Sequence, residues 1–370
     1  PAPAADLAGT LRISAPPWII KKFPLEDSIE RFMADHPGVT VELNAEDKWN
    51  VATHIAEWKE GETSVDLYIG GSGSMLAPVI VGEWTVPMDD MLVGDLAPEN
   101  WVGGFLNAGK YKTPDGSGTY YPVLPFVGEV SIIGVNTAIA EKAGLMDGTS
   151  VKPIPSFEEA EFMAWMQALD EHAGVAGHVQ PWDREYMQYD YCGPIMAQTG
   201  ACFTEKGFDI WSDEAKNWLG LLQKMNEAGV ADFTITDDEA YDKWKTNEAG
   251  SFLAAQGHVM ELVNAVTEDE SSIAYTGWPG DGGSVIWTHS VWIPKVVPEE
   301  TQVLARAFIR EQTHSAFYSQ WSFNNYGKLP VMKAYYGDGI ERFQDQMPLI
   351  LGVADASKPV PLYADMEEYL

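Results

Sequence analysis

The stretch VDLYIGGSGS, Val65–Ser74, decides the fold. Val65, Leu67 and Ile69 recur at every second position, the period of a strand, and the chain then enters Gly70-Gly71-Ser72-Gly73-Ser74. Upstream, Leu11-Arg12-Ile13 reads as a short strand. Pro24 then opens a helix with Leu25, Ile29, Phe32 and Met33 at helical spacing, and His36-Pro37-Gly38 stops it. Val39, Val41 and Leu43 alternate as a second strand. Strand, helix and strand in this rhythm predict a parallel sheet flanked by helices, an α/β fold. The glycine run lacks both the G-x-G-x-x-G spacing and the Gly-Lys-Ser/Thr of phosphate loops. It reads as a turn that lets something approach the backbone closely.

Beyond that stretch, 370 residues suit two lobes better than one compact domain. No apolar run is long enough to span a bilayer. Fifty-five Asp and Glu oppose 23 Lys and Arg, a net charge of −32. That surface repels nucleic acid and anionic lipid, so neither is an expected partner. The acids are dispersed, as in a solvated shell. The opening PAPAADLAGT reads as a linker left after processing. Cys192 and Cys202 fit no zinc or redox motif; they either pair or stay as buried thiols. His54, His178, His258 and His289 lie without metal spacing, and no nucleophile motif or H-E-x-x-H occurs. No catalysis, metal or cofactor is expected.

Further along, PVLPFVGEVSIIGVN, Pro122–Asn136, is one apolar run holding a single acid, Glu129. Ser156-Phe157-Glu158-Glu159 predicts a capping box and a helix start. Trp218, Leu219, Leu222 and Met225 mark another helix, ended by Gly229. Val303, Leu304, Ala307 and Phe308 mark one more, begun by Pro298-Glu299-Glu300. In SVIWTHSVWIP, Ser284–Pro294, an extended chain puts Trp287 and Trp292 on opposite faces, so one core does not absorb both.

Five segments resemble, in order, the extracellular solute-binding proteins of carbohydrate ABC transporters, the maltose-binding-protein-like group. They are DLYIGGSGSMLAPVIVGEWTVPMDDML, YYPVLPFVGEVSIIGVNTAIAEKAGL, SFLAAQGHVMEL, PGDGGSVIWTHSVWIPK and YGKLPVMKAYY. The resemblance implies a type II periplasmic-binding-protein fold, with two α/β lobes joined by hinge crossovers and a ligand cleft between them. It puts the crossovers near Tyr121–Pro125 and Pro279–Ser284. The lobes become residues 7–122 plus 285–315, and 123–284 plus 316–370. It implies a monomer outside the cytoplasm, periplasmic or extracellular and open to lipid anchoring before Pro1. Its partners would be a sugar or oligosaccharide and the membrane permease subunits of an importer.

A sugar offers apolar C–H faces and a ring of hydroxyls, which call for flat aromatics and fixed acids or amides. The resemblance places Trp18 in the loop after the first strand, Ser72 in the binding turn and Glu129 at a common acid position. Trp182, Tyr186, Tyr189 and Asp190 fall in a segment of cleft aromatics and acids. Trp278 precedes the return hinge, Trp287, Thr288 and His289 follow it, and Tyr363 lies in a final stretch that returns to the pocket. Two departures stand out. Asn264 lies where relatives carry a stacking ring, and Trp287-Thr288 replace a usual glycine pair. The same fold could instead take a polyol, an osmolyte or a charged metabolite. A glycoside hydrolase, with two carboxylates at a set separation, is the remaining rival.

Overall fold

The computed structural model describes residues 7–46, 51–71, 76–113, 116–180, 187–204, 207–246, 248–255, 270–280 and 283–359. In chain order its principal strands are β1 (Ala8–Ala15), β2 (Gly38–Ala45), β3 (Leu67–Ile69), β4 (Leu124–Asn136), β5 (Ala176–Val179), β6 (Ala231–Asp232), β7 (Ala249–Ala255), β8 (Ile273–Thr276), β9 (Val285–Trp292), β10 (Leu329–Pro330) and β11 (Lys358–Pro359). The helices that matter here are α1 (Pro17–Lys22), α2 (Leu25–Asp35), α3 (Val51–Lys59), α4 (Glu159–Asp170), α5 (Met187–Thr199), α6 (Asp213–Ala228), α7 (Glu299–Phe308), α8 (Ala316–Tyr326) and α9 (Met347–Ala356).

The chain divides into two compact units. Among the described residues, one holds the chain up to Gly128 with Thr288–Ile340, and the other holds Glu129–Trp287 with the chain from Glu341 to Pro359. The chain thus changes unit at Gly128–Glu129 and Trp287–Thr288, inside β4 and β9, a few residues beyond the expected crossovers. Residues 316–340, expected with the second lobe, cluster with the first. Packing explains this: Tyr318 of α8 stacks on Phe23 at 5.9 Å, and β10 pairs with Val127 and Gly128.

In the first unit the strand order is β2-β1-β3-β9. β1 and β2 run parallel from Ala8 opposite Gly38 to Ala15 opposite Ala45. β3 is parallel to β1, and β9 closes the order antiparallel, with Trp292 opposite Tyr68. Asp66 ties β1 to β3, accepting from the Arg12 backbone N–H at 2.9 Å and from its guanidinium at 2.6 and 3.0 Å. Such a two-point charged bond fixes register as well as contact. α2 buries Leu25, Ile29 and Phe32, and Phe32 meets Phe308 of α7 edge-on at 5.2 Å.

In the second unit the order is β6-β5-β7-β4, with β8 on β4 and β11 on β9. β5, β6 and β7 are parallel, while β4 runs antiparallel to β7 and β8. All 13 residues of β4 are buried. α6 starts on the Ser212 cap and ends, as its sequence predicts, at Gly229 in the left-handed region. The capping box lies elsewhere than expected. α4 starts at Glu159 without a side-chain cap; Ser156 bonds Glu161 and the Glu158 N–H instead. The real box is Thr236 with Glu239, at the helix Asp237–Lys245. The cysteines are joined as a disulfide, Cα to Cα 5.2 Å, across the turn after α5.

Candidate ligand-binding site

In an open α/β sheet, ligands gather outside the carboxyl ends of the parallel strands. In the first unit those ends are Ala15, Ala45 and Ile69. After β1 comes Pro16-Pro17-Trp18, and Pro17 takes the first helical position, where its missing N–H costs nothing. Trp18 is thereby set at the strand end, half-buried. Its ring lies 4.9 Å from that of His289, tilted by 60°. His289 is buried against Phe23 and Phe126 at 6.2 and 6.5 Å. Trp18 is therefore an aromatic with a packed support and an open side.

After β3, Gly70 and Gly71 take φ of 121° and 94°, open in practice only to glycine. What approaches this turn is β9: the Gly70 N–H donates to Ser290 O and the Ser290 N–H donates to Gly71 O, both at 3.0 Å. The close approach that the glycines allow is thus that of a strand. Thr288, also expected to face ligand, is 7% exposed.

Beside Trp18 the strand ends enclose a hollow between Ala15-Pro16, Glu46, His54, Tyr68 and Ile69. Glu46 accepts from Asn44 Nδ2 at 2.8 Å and lies 2.7 Å from His54 Nε2. His54 Nδ1 is 3.4 Å from Glu57, whose carboxyl is held below its usual range chiefly by the Ser64 hydroxyl. Tyr68 stacks on Trp292 at 4.9 Å and meets His54 and Trp58 edge-on. Burial first, and then the charges of Glu46 and Glu57, hold its phenol far above the usual range, so it stays a neutral donor. None of Glu46, His54 and Tyr68 is suggested by sequence spacing. Only the alternation that buries Tyr68 on one sheet face hints at them.

In the second unit, Glu129 is 3% exposed, inside the buried strand β4. Trp287 is half-buried and is the single position of β9 not buried. The two stand on strands that are neighbours in the hydrogen-bonded order. Trp278 is 3% exposed, stacked on Phe157 at 6.1 Å and edge-on to Trp218 at 5.3 Å. It is a packed ring here, because Phe157, just before α4, and Trp218 of α6 lie against it. Its indole N–H, Ser131 Oγ and Ser284 Oγ converge on Gly193 of α5, where a Cβ would come within 3.1, 3.3 and 2.9 Å of them. Ser72, Trp182, Tyr186, Asn264 and Tyr363 lie outside the described residues. Tyr189 and Asp190 lie on α5, within Met187–Thr199.

Among the described residues no group of His, Cys, Asp and Glu could hold a metal ion, and no helix is long and apolar enough to cross a membrane. No sequence-family profile matches the chain, and no curated relative does. Solved structures do match over almost its whole length. The sugar-binding protein MalE from Xanthomonas citri superposes with a TM-score of 0.78 at 12% identity, covering 97% of this chain and 89% of that one. The GacH receptor of Streptomyces glaucescens, solved unliganded and with acarbose, gives 0.73 at 15%, covering 98% and 90%. UgpB from Mycobacterium tuberculosis, solved with glycerophosphocholine, gives 0.70 at 17%, covering 95% and 88%. The fold is therefore that of the two-unit α/β solute-binding proteins. Within that class it is maltose-binding-protein-like.

Proposed function

We propose that this protein captures a neutral sugar or oligosaccharide outside the cytoplasm and delivers it to the permease subunits of an ABC importer. One observation carries the reading: within this fold, Trp18 stands half-open at the parallel strand ends, its ring supported by buried His289. Such a ring suits the apolar face of a sugar. The net charge of −32 disfavours an anionic solute, and a neutral polyhydroxyl is indifferent to it. The protein acts as a monomeric binder and leaves its ligand chemically unchanged.

The test is thermal unfolding against maltose, maltotriose, acarbose, polyols and glycerophosphocholine. A ligand at 100 times its dissociation constant adds about 2.7 kcal/mol of stability. A shift with sugars alone supports the reading, and a shift with glycerophosphocholine alone moves the assignment to another solute. Incubation with a bound oligosaccharide should leave it intact by chromatography; cleavage products would make the protein a hydrolase.

A further inference from the structure

The second unit carries a groove at the end of its sheet opposite the carboxyl ends of the parallel strands. β4 runs antiparallel to β7, with Val135 opposite Ser251 and Ser131 opposite Ala255. The exit of β4 at Asn136 therefore lies with the amino ends of β5 and β7, and Ile273, the first residue of β8, pairs with Asn136 there. Around that end the helix Thr137–Lys142, the hairpin made by Met146-Asp147 and Ser150-Val151, and the stretch Glu341–Gln346 enclose about 680 Å³ of room. That falls within the range of ligand sites. The walls are tied to one another. Thr137 Oγ1 donates to Ser271 O at 2.6 Å. Gln346 accepts from the Tyr275 N–H at 2.7 Å and donates to Ile273 O at 2.9 Å. Glu270 holds Arg342 and accepts from the Phe343 N–H at 2.9 Å, and Phe343 sits at a φ of 50°, uncommon for a bulky residue. Such a conformation persists where the surroundings over-determine it.

The groove has an apolar floor and an acidic rim. Ile273 and Phe343 are buried in its floor with Met146 half-buried beside them, while Glu141, Glu341 and Asp345 stand exposed around it. No lysine or arginine lines it, and Arg342, next to it in sequence, is taken up by Glu270. Glu141 and Asp345 have no cationic partner among the described residues. We propose that this groove docks a basic, partly apolar segment of a protein partner, with apolar side chains over Met146 and Phe343 and lysine or arginine heads against Glu141 and Asp345. The rim repels an acidic segment and gives a neutral one nothing. The floor selects a cation that brings a hydrocarbon stem or an apolar neighbour with it. Because the groove lies at the opposite end of the sheet, a docked segment leaves the carboxyl ends of the strands uncovered. The proposal does not rest on the sugar reading.

The experiment titrates a short, end-blocked peptide of alternating lysine and leucine onto the full chain at low salt, with a glutamate–leucine peptide and spermine for comparison. The lysine–leucine peptide should bind and the glutamate–leucine peptide should not. Glu141→Gln combined with Asp345→Asn should weaken binding by about threefold to tenfold. Met146→Ser should weaken it as well. Glu30→Gln combined with Glu60→Gln removes two exposed acids of the first unit and should leave the affinity unchanged. Equal losses in the two double variants would show that the peptide follows net charge alone, and the docking site would be wrong. A wild type that does not bind the lysine–leucine peptide overturns it too. Spermine bound as tightly as the peptide, with a loss in Glu141→Gln/Asp345→Asn and none in Met146→Ser, would make the groove a small-amine site and end the peptide reading.

Discussion

Trp287 and Trp292 sit on one strand with opposite environments. Trp292 is fully buried and stacked on Tyr68, while Trp287 is the one half-open residue of β9. Trp292→Ala should cost roughly 3–5 kcal/mol of stability, as for an emptied aromatic site. Trp287→Ala should cost far less, yet weaken sugar binding by about 1–3 kcal/mol. Urea unfolding and titration calorimetry separate the two, and the reverse pattern would exchange their roles. His178 and His314 carry a second prediction. Burial lowers each to about 4, against partial relief from Gln180 for the first and from the Pro125 and Ile309 carbonyls for the second. In the unfolded chain both titrate near 6.5, so the unfolded state binds more protons between those values. Their contribution is complete above about pH 6.5 and is lost as pH falls toward 4, roughly 3 kcal/mol each. His314→Gln should therefore narrow the stability gap between pH 7 and pH 4 relative to wild type; an unchanged gap would show that His314 is charged in the folded protein.

At the scale of elements, α5 is constrained at three successive residues, Cys192, Gly193 and Pro194. It carries Pro194 inside the helix, Gly193 beside it and Cys192 bonded to Cys202. Gly193 packs so closely on Ser284, Trp278 and Ser131 that Gly193→Ala should cost about 1–3 kcal/mol through overpacking. Replacing both cysteines by alanine should cost about 3 kcal/mol through the freed loop. Melting temperatures of the two variants check both, and a Gly193→Ala protein as stable as wild type would show that α5 can shift.

For the molecule as a whole, a surface with a net −32 repels itself at low ionic strength. Raising salt shrinks the Debye length from about 30 Å at 0.01 M to about 10 Å at 0.1 M. Calorimetry should show the melting temperature rising over that range. A falling melting temperature would mean that ion pairs such as Arg12–Asp66 outweigh the dispersed repulsion.

Periodicity and chain-breakers were enough to read β1, α2, β2 and β3, the ends of α2 and α6, and hence the parallel α/β class. Those signals are local: alternation of two, spacing of three and four, a proline or glycine at an end. Motif order carried the resemblance, which singled out Trp18 and, together with the opposite strand faces of Trp287 and Trp292, Trp287. The chain changes unit a few residues from the expected crossovers, and 316–340 clusters with the first unit, not with the second lobe as expected. Those boundaries depend on which core Tyr318 joins, and no local pattern encodes that. The role of Gly70 and Gly71 likewise depended on Ser290, more than two hundred residues away, and Trp278 looked like a cleft ring until Trp218 and Phe157 covered it. Glu46, His54 and Tyr68 were silent in the sequence for the same reason. Each is ordinary in its own segment, and only the sheet order β2-β1-β3, with α3 beside it, gathers a carboxylate, an imidazole and a buried phenol around one small hollow.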